Sequence, residues 1–276
     1  MNREQRKEVA EDTLRVLSQG NYLNADKKIV EIGSLLARAK EATTTYLLGD
    51  LPKPDLRRFP DFATLTVVNE TSGDALMRLT DLGHQRIGIL NFASAKNPGG
   101  GFLSGAQAQE EALARSSGLY PCLQTQMLAF YEPNRQNDSL LYRDAAICSL
   151  DVPFFRSDSG EYLPSPIMAT VVTAPAPNAG AVAKIQPQDL PQIQPTIAKR
   201  SAMVLQLFAL AGVETVILGA WGCGVFRNDP RQVAKVFADL LKPGGPYSQA
   251  FKLVTFAIAG LNDSQNIDAF REAFEQ

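Results

Sequence analysis

The sequence predicts an α/β protein in which a mostly parallel or mixed sheet is flanked by helices on both faces. Three observations carry that reading. From about residue 61 onward, short runs rich in β-branched and apolar side chains alternate with stretches of helical periodicity, the pattern of sheets whose strands are joined by crossover helices. Two of these runs open into glycine-rich loops that lead into helices, and in such sheets ligands gather at the carboxyl ends of strands. The length, 276 residues of which 45% are hydrophobic and 20% charged, suits one large domain or a domain with an extension.

The elements follow in order. Residues 3–17 and 25–46 place apolar side chains at helical spacing, as in Val9, Thr13 and Val16 and then Ile29, Ile32 and Leu36. They predict two amphipathic helices. LPKPDLRRFP, with three prolines, breaks the pattern. It divides an N-terminal helical extension, residues 1–60, from a main domain, residues 61–276, against which the extension is expected to pack. Strands are predicted at 63–69 (ATLTVVN), 86–92 (RIGILNF), 166–174 (PIMATVVTA), 214–220 (ETVILGA) and 251–259 (FKLVTFAIA). Helices are predicted at about 73–82, 105–118, 192–211, 230–241 and 265–275. Residues 131–166 are polar and carry no clear periodicity.

Charge and cysteine usage narrow the function. A formal net charge of −2 gives no general attraction to nucleic acid or an anionic membrane, so a polyanionic partner has to be met locally. Cys122, Cys148 and Cys223 are widely spaced without a CxxC pair, and His84 is the only histidine, which argues against a zinc site and against disulfides. The first residues, MNREQRKEVAED, are charged rather than apolar, and no apolar run approaches the roughly 20 residues of a membrane helix. The default expectation is a cytoplasmic protein.

The first glycine loop lies in NPGGGFLSGAQAQEEALARSS, residues 97–117. Three glycines in succession permit positive φ and let a ligand approach the backbone with no Cβ in the way. Ser104 followed by Gln107 makes a capping box, which predicts a helix from about Gly105 with Glu110 and Glu111 in its second turn. Glu111 and Arg115 stand i, i+4, so Glu111 could be half of a solvated ion pair. The alternative is catalytic: two carboxylates in a cleft raise one another's pKa, which keeps one protonated as a proton donor. With a single histidine in the chain, carboxylates are the expected general acid and base.

The second loop lies in ETVILGAWGCGVFRNDPRQVAKVFADLL, with Gly219, Gly222 and Gly224 ahead of a helix opened by Asn228 or Asp229 with Pro230 at its first position. Strand, glycine loop and helix N-terminus suit a phosphate or diphosphate. The spacing is neither a P-loop nor a dinucleotide fingerprint. Phe226 either plugs the core or presents a face to a sugar or base. Trp221 is expected in the core.

Together these motifs resemble poly(ADP-ribose) glycohydrolases, whose catalytic domain is a macrodomain. GGG, seven residues, then QEE is their signature, and LNFASAKNPGGGFLSGAQAQEE, RSSGLY, APAPN at 174–178 and GAWGCGVFRNDP at 219–230 are similar, in the same order, to the shorter bacterial branch. The resemblance covers nearly the whole chain and implies a macrodomain-like fold. It implies Glu111 as catalytic acid, Glu110 on the adjoining ribose hydroxyls, and Gln109 as part of the same substrate-binding motif. Asn97 would fix the distal ribose, with Gly99, Gly100 and Gly101 around that ribose and its phosphate. Gly222, Cys223, Gly224, Val225, Phe226 and Arg227 would form the diphosphate loop, with Phe226 on the distal ribose, and Glu70 and Thr71 would belong to the adenine pocket. No metal and no cofactor are expected. The implied activity is hydrolysis of ribose–ribose bonds from the chain terminus of poly(ADP-ribose), free or on protein, to give ADP-ribose, by a monomer. Two other readings stay open: an ADP-ribose-binding macrodomain without turnover, and a hydrolase that removes single ADP-ribose units from protein or nucleic acid.

Overall fold

The computed structural model describes residues 1–260 and 264–275. Helix α1 (Arg3–Gln19) is opened by a capping box of Asn2 and Gln5 and closed by Gly20 in the left-handed region. A small hairpin follows, β1 (Asn21–Leu23) and β2 (Ile29–Glu31), then α2 (Gly33–Glu41) and β3 (Thr43–Leu47). The single helix expected over 25–46 is therefore replaced by a strand, a short helix and a second strand. The reason lies in Thr43, Thr44 and Thr45, whose branched side chains favour strand over helix. Moreover, β3 hydrogen-bonds to the main sheet, so the first 60 residues supply one of its edge strands.

The remaining elements are β4 (Thr64–Val68), α3 (Ser72–Asp81), β5 (Ile87–Phe92), α4 (Gln109–Ser116), α5 (Leu119–Gln124) and α6 (Glu132–Arg135). They continue with β6 (Ala145–Arg156), β7 (Tyr162–Ala174), α7 (Ala179–Ile185), α8 (Ile193–Leu210), β8 (Thr215–Leu218), α9 (Pro230–Leu241), β9 (Leu253–Ala257) and α10 (Ser264–Phe274). The seven-stranded sheet has the order β3-β6-β7-β5-β8-β9-β4. From β7 to β4 the neighbours run parallel, while β6 is antiparallel to β7 and β3 to β6. The fold is thus a mixed sheet with helices on both faces. The unassigned stretch 131–166 contains all of β6, whose alternation is spoiled by a register shift between Ser149 and Val152 that places Asp151 at φ 48° just before Pro153.

Alternate residues of the central strands enter opposite cores, as a period of two requires. Leu90, Val172, Val216, Leu218, Val254 and Phe256 pack on the side of α8, α9 and α10. Ile87, Ile89, Val171 and Ile217 pack on the side of α2, α3, α4 and α5. Strand β8 is buried on both faces, which explains its continuous apolar run TVIL. Among the described residues no helix is long and apolar enough to cross a membrane.

Candidate active site

The parallel strands β7, β5, β8, β9 and β4 end at the same edge of the sheet, so the loops that follow them converge there. Strand β5 delivers the chain into residues 93–108 and then into α4. That helix begins at Gln109, not near Gly105 as the capping box predicted, because Ser104 is taken up by a 3₁₀ turn over Phe102–Ser104 where its Oγ donates to the Gly101 carbonyl at 2.8 Å. Glu110 and Glu111 consequently stand in the first turn of α4, at the positive end of its dipole.

Gln109 fastens that end in place. Its Oε1 accepts from the Phe92 N–H at 2.9 Å, and its Nε2 donates to the Leu90 carbonyl at 2.7 Å and to the Ser72 hydroxyl at 3.1 Å. One amide thereby joins the end of β5, the start of α3 and the start of α4. Glu110, 3% exposed, accepts from the Ser94 N–H at 2.7 Å, from the Gly99 N–H, and from Asn91 Nδ2 at 3.4 Å. Burial and then the neighbouring charge of Glu111 outweigh these donors and push its carboxyl up to about 8, so Glu110 is protonated at neutral pH.

Glu111 accepts from the Gly101 N–H at 2.9 Å through Oε1, while its Oε2 is buried and has no hydrogen-bond partner. The ion pair that the i, i+4 spacing suggested with Arg115 does not form. Arg115 is buried and donates from NH1 to the Ala106 carbonyl at 2.8 Å. The glycines account for the closeness of loop and carboxylates. Gly99 and Gly100 lie at φ 69° and 58°, and a Cβ on Gly100 would stand 2.3 Å from Glu111 Oε1 and 3.1 Å from Glu110 Oε2. Gly100 thus makes room for the protein's own carboxylates, whereas a Cβ on Gly99 would crowd Phe102, Tyr120 and Ala114.

Beneath the second loop Trp221 is fully buried, as expected, and donates from Nε1 to the Ala174 carbonyl at 3.0 Å. Gly222 lies at φ 74° and packs so closely on Ala176 and Asn228 that a Cβ would come within 2.5 Å of both. The buried Asn228 donates from Nδ2 to the Gly222 carbonyl at 2.9 Å and to the Pro177 carbonyl at 3.0 Å, tying this loop to the one after β7. Asp229, with Pro230 behind it, caps α9 through the Arg231 N–H. The tip faces outward: nothing lies within 4 Å of a Cβ on Gly224, and Val225 is 84% exposed. Phe226 is partly buried against the core, its ring tilted over Tyr142 with centroids 6.2 Å apart. The arrangement brings to one edge of the sheet the raised carboxyl of Glu110, the Glu111 side chain with one unpartnered oxygen, and a backbone loop open to solvent.

Residues 10–157, more than half of the chain, match the family of microbial-type PARG catalytic domains. The chain belongs to that family. It is similar to the solved poly(ADP-ribose) glycohydrolase of Thermomonospora curvata, at 37% identity and a TM-score of 0.91 over 98% of this chain and 100% of the other. The same bacterial protein bound to the inhibitor ADP-HPD superposes at 0.90 with 38% identity, over 98% of this chain and 100% of the other. The Deinococcus radiodurans poly(ADP-ribose) glycohydrolase in complex with ADP-ribose is 44% identical over 87% of this chain and 97% of the other, at a TM-score of 0.79. Among curated proteins no match was found.

Within this PARG-type frame the candidate residues divide. Asn97, Gly99, Gly100, Gly101, Gln109, Glu110 and Glu111 stand together in one loop and helix start. Asn97 is exposed, and its side-chain amide makes no hydrogen bond to the described residues. Cys223 donates from Sγ toward the Trp221 carbonyl, and Arg227 adopts φ 57°. Glu70 is held by Arg78 through two contacts of 2.9 and 2.6 Å, and Thr71 caps α3 through the Asp74 N–H. Both carry internal duties beside the Gln109 clamp. Asn91 and Ser94 escaped the sequence reading, and Asn228, read there as one of two openers of α9, instead ties the two loops while Asp229 caps the helix. For Asn91 a signal existed: one amide inside the apolar run RIGILNF, fully buried and donating to Thr173 at 3.1 Å.

Proposed function

We propose that this chain hydrolyses the ribose–ribose O-glycosidic bonds of poly(ADP-ribose) and releases ADP-ribose, with Glu111 as general acid and then general base. The observation that carries this is the Glu111 carboxyl, held at Oε1 by the Gly101 N–H while Oε2 is buried without a partner. An idle buried oxygen of this kind is costly unless a ligand group completes it. Protonated, it hands its proton to the leaving ribose oxygen as the C–O bond breaks and positive charge spreads over the ring. Ionised, it takes a proton from the water that attacks the anomeric carbon. Glu110 in its neutral form donates to a ribose hydroxyl. The open loop from Gly222 to Arg227 receives the diphosphate, with Phe226 and Asn97 against the distal ribose and Glu70 and Thr71 at the adenine end. Remote binding of this sort orients the scissile bond.

Family membership supports this reading, as do the ADP-HPD and ADP-ribose complexes of the two bacterial relatives. Cleavage is expected at the chain terminus, by a monomer in the cytoplasm, where three cysteines without disulfide bonds are no liability. The test is Glu111→Gln, which keeps shape and loses the proton. We expect ADP-ribose release from polymer to fall about 10³-fold while calorimetric affinity for ADP-ribose changes less than threefold. A wild type that leaves polymer intact, or a variant as active as wild type, would overturn the assignment.

A further inference from the structure

Helix α1 lies directly on the loop that precedes the catalytic helix. Arg6 donates from Nε to the Gly105 carbonyl at 2.8 Å and from NH1 to Gln107 Oε1 at 2.8 Å, and Arg3 donates from Nε to the Ser104 carbonyl at 3.0 Å. Gly105 lies at φ 72°, and a Cβ there would come within 2.4 Å of the Arg3 carbonyl oxygen, so no other residue fits under the helix. Ala10 packs with Phe102 and Ala114 in a small separate core, and Thr13 donates to the Arg115 carbonyl at 2.6 Å. The turn over residues 104–107 is therefore gripped by guanidinium groups, Arg3 and Arg6 from α1 and Arg115 from α4. No ion pair engages any of the three among the described residues.

That turn braces the residue whose N–H orients the acid. The Gly101 carbonyl accepts from the Ala106 N–H at 3.2 Å and from the Ser104 N–H at 3.0 Å, and the Gly101 N–H in turn holds Glu111 Oε1. Hydrogen bonds lead from Arg6 through the Gly105–Ala106 peptide to the Gly101 carbonyl, and the Gly101 Cα joins that carbonyl to the N–H that holds the carboxylate. We propose that Arg6 is a positioning residue for the reaction, and that α1 serves to hold the Gly101 N–H where it aims Glu111. An unanchored turn lets that N–H swing, and a misaimed acid loses rate at unchanged substrate affinity, since the diphosphate loop and α9 are untouched. A planar fork reaching a carbonyl and a side-chain amide at once is work that a lysine ammonium does only in part.

This inference rests on the glycohydrolase reading of the site, and the test separates the two. Wild type, Arg6→Ala, Arg6→Lys and, as control on the same helix, Arg15→Ala are compared for kcat and KM on poly(ADP-ribose), for ADP-ribose affinity, and for hydrogen exchange at the Gly101 amide. The expected result is a kcat about tenfold lower for Arg6→Ala, a smaller loss for Arg6→Lys, KM and ADP-ribose affinity within twofold, and Gly101 exchange at least tenfold faster. Arg15→Ala leaves kcat and exchange as in wild type. An active wild type whose kcat and Gly101 exchange are unmoved by Arg6→Ala overturns the proposal, as does an equal kcat loss in Arg15→Ala. An inactive wild type overturns the functional reading instead, and the exchange data still decide whether Arg6 anchors the loop.

Discussion

Replacing Gly100 by alanine adds one methyl group at the point where loop and acid meet. The new Cβ would stand 2.3 Å from Glu111 Oε1 and 3.0 Å from its Cδ, well inside van der Waals contact, and the backbone would keep a φ of 58° that L-residues avoid. The strained backbone costs about 1 kcal/mol. The clash is relieved by rotating the Glu111 carboxylate, which breaks the 2.9 Å bond from the Gly101 N–H, a charge-assisted contact worth about 1.5–3 kcal/mol. Part of that returns as new contacts, so a net destabilisation of about 2 kcal/mol and a melting temperature lower by about 4–8 °C are expected. The rate should suffer far more, because an acid turned from its proton acceptor forfeits most of a contribution of about 10²–10⁴-fold. Initial rates of ADP-ribose release, normalised to folded protein from urea titration, measure this directly. Gly101→Ala is the control: its φ is −103° and its Cβ would meet only Ala106 and Ser104 closely. A Gly100→Ala protein within threefold of wild-type kcat, or one that loses no more than Gly101→Ala, would refute the reasoning.

Other expectations follow from the same geometry. Glu110, raised from an ordinary 4.5 to about 8 in the folded chain, keeps a proton that the unfolded chain has released, so stability should fall as pH rises between those values. Denaturant unfolding at pH 6 and pH 9 should show the decline in wild type and not in Glu110→Gln; equal slopes would contradict it. Asp12 behaves in the opposite sense: burial works against its charge, but hydrogen bonds from Tyr162, Arg15 and Arg156 hold it at about 2, so its contribution is present above pH 4 and lost on acidification toward pH 2. Asp12→Ala also strips the buried Arg156 guanidinium of its carboxylate and should cost about 1–2 kcal/mol at pH 7, checked by thermal melting. Gln109→Leu removes three hydrogen bonds that join β5, α3 and α4, and should lower stability by about 2 kcal/mol together with kcat; a fall in stability alone would mean that the clamp does not bear on the acid.

Those residues also show what the chain disclosed before its structure was known. Strands β5, β8 and β9 were legible because burial on both faces leaves apolar runs, β4 and the end of β7 because of their β-branched residues, and the spacing from GGG to QEE was legible as a loop and helix start. Strand β3 was not, since Thr43 to Leu47 sits in a stretch whose apolar spacing also fits a helix, and only pairing with β6 decides the matter. Strand β6 was hidden by Asp151 and Pro153, local signals for a turn that the sheet absorbs as a bulge. The pairing of Glu111 with Arg115 failed for a comparable reason. Helical spacing brings the two within reach, but the carbonyl of Ala106, placed by a turn that α1 grips, claims the guanidinium first.

Trp221 is the only tryptophan in the chain, and it lies fully buried under the second glycine loop with its indole N–H on the Ala174 carbonyl. Every photon of tryptophan emission therefore comes from one place, the floor between the loops that follow β7 and β8. The protein carries its own optical probe, in register with the segment assigned to the diphosphate and free of interference from any other indole. Ligand entry at that loop, if it receives the diphosphate as proposed, is to be followed in real time by stopped-flow fluorescence on the unlabelled chain, separately from the chemistry proposed at Glu111.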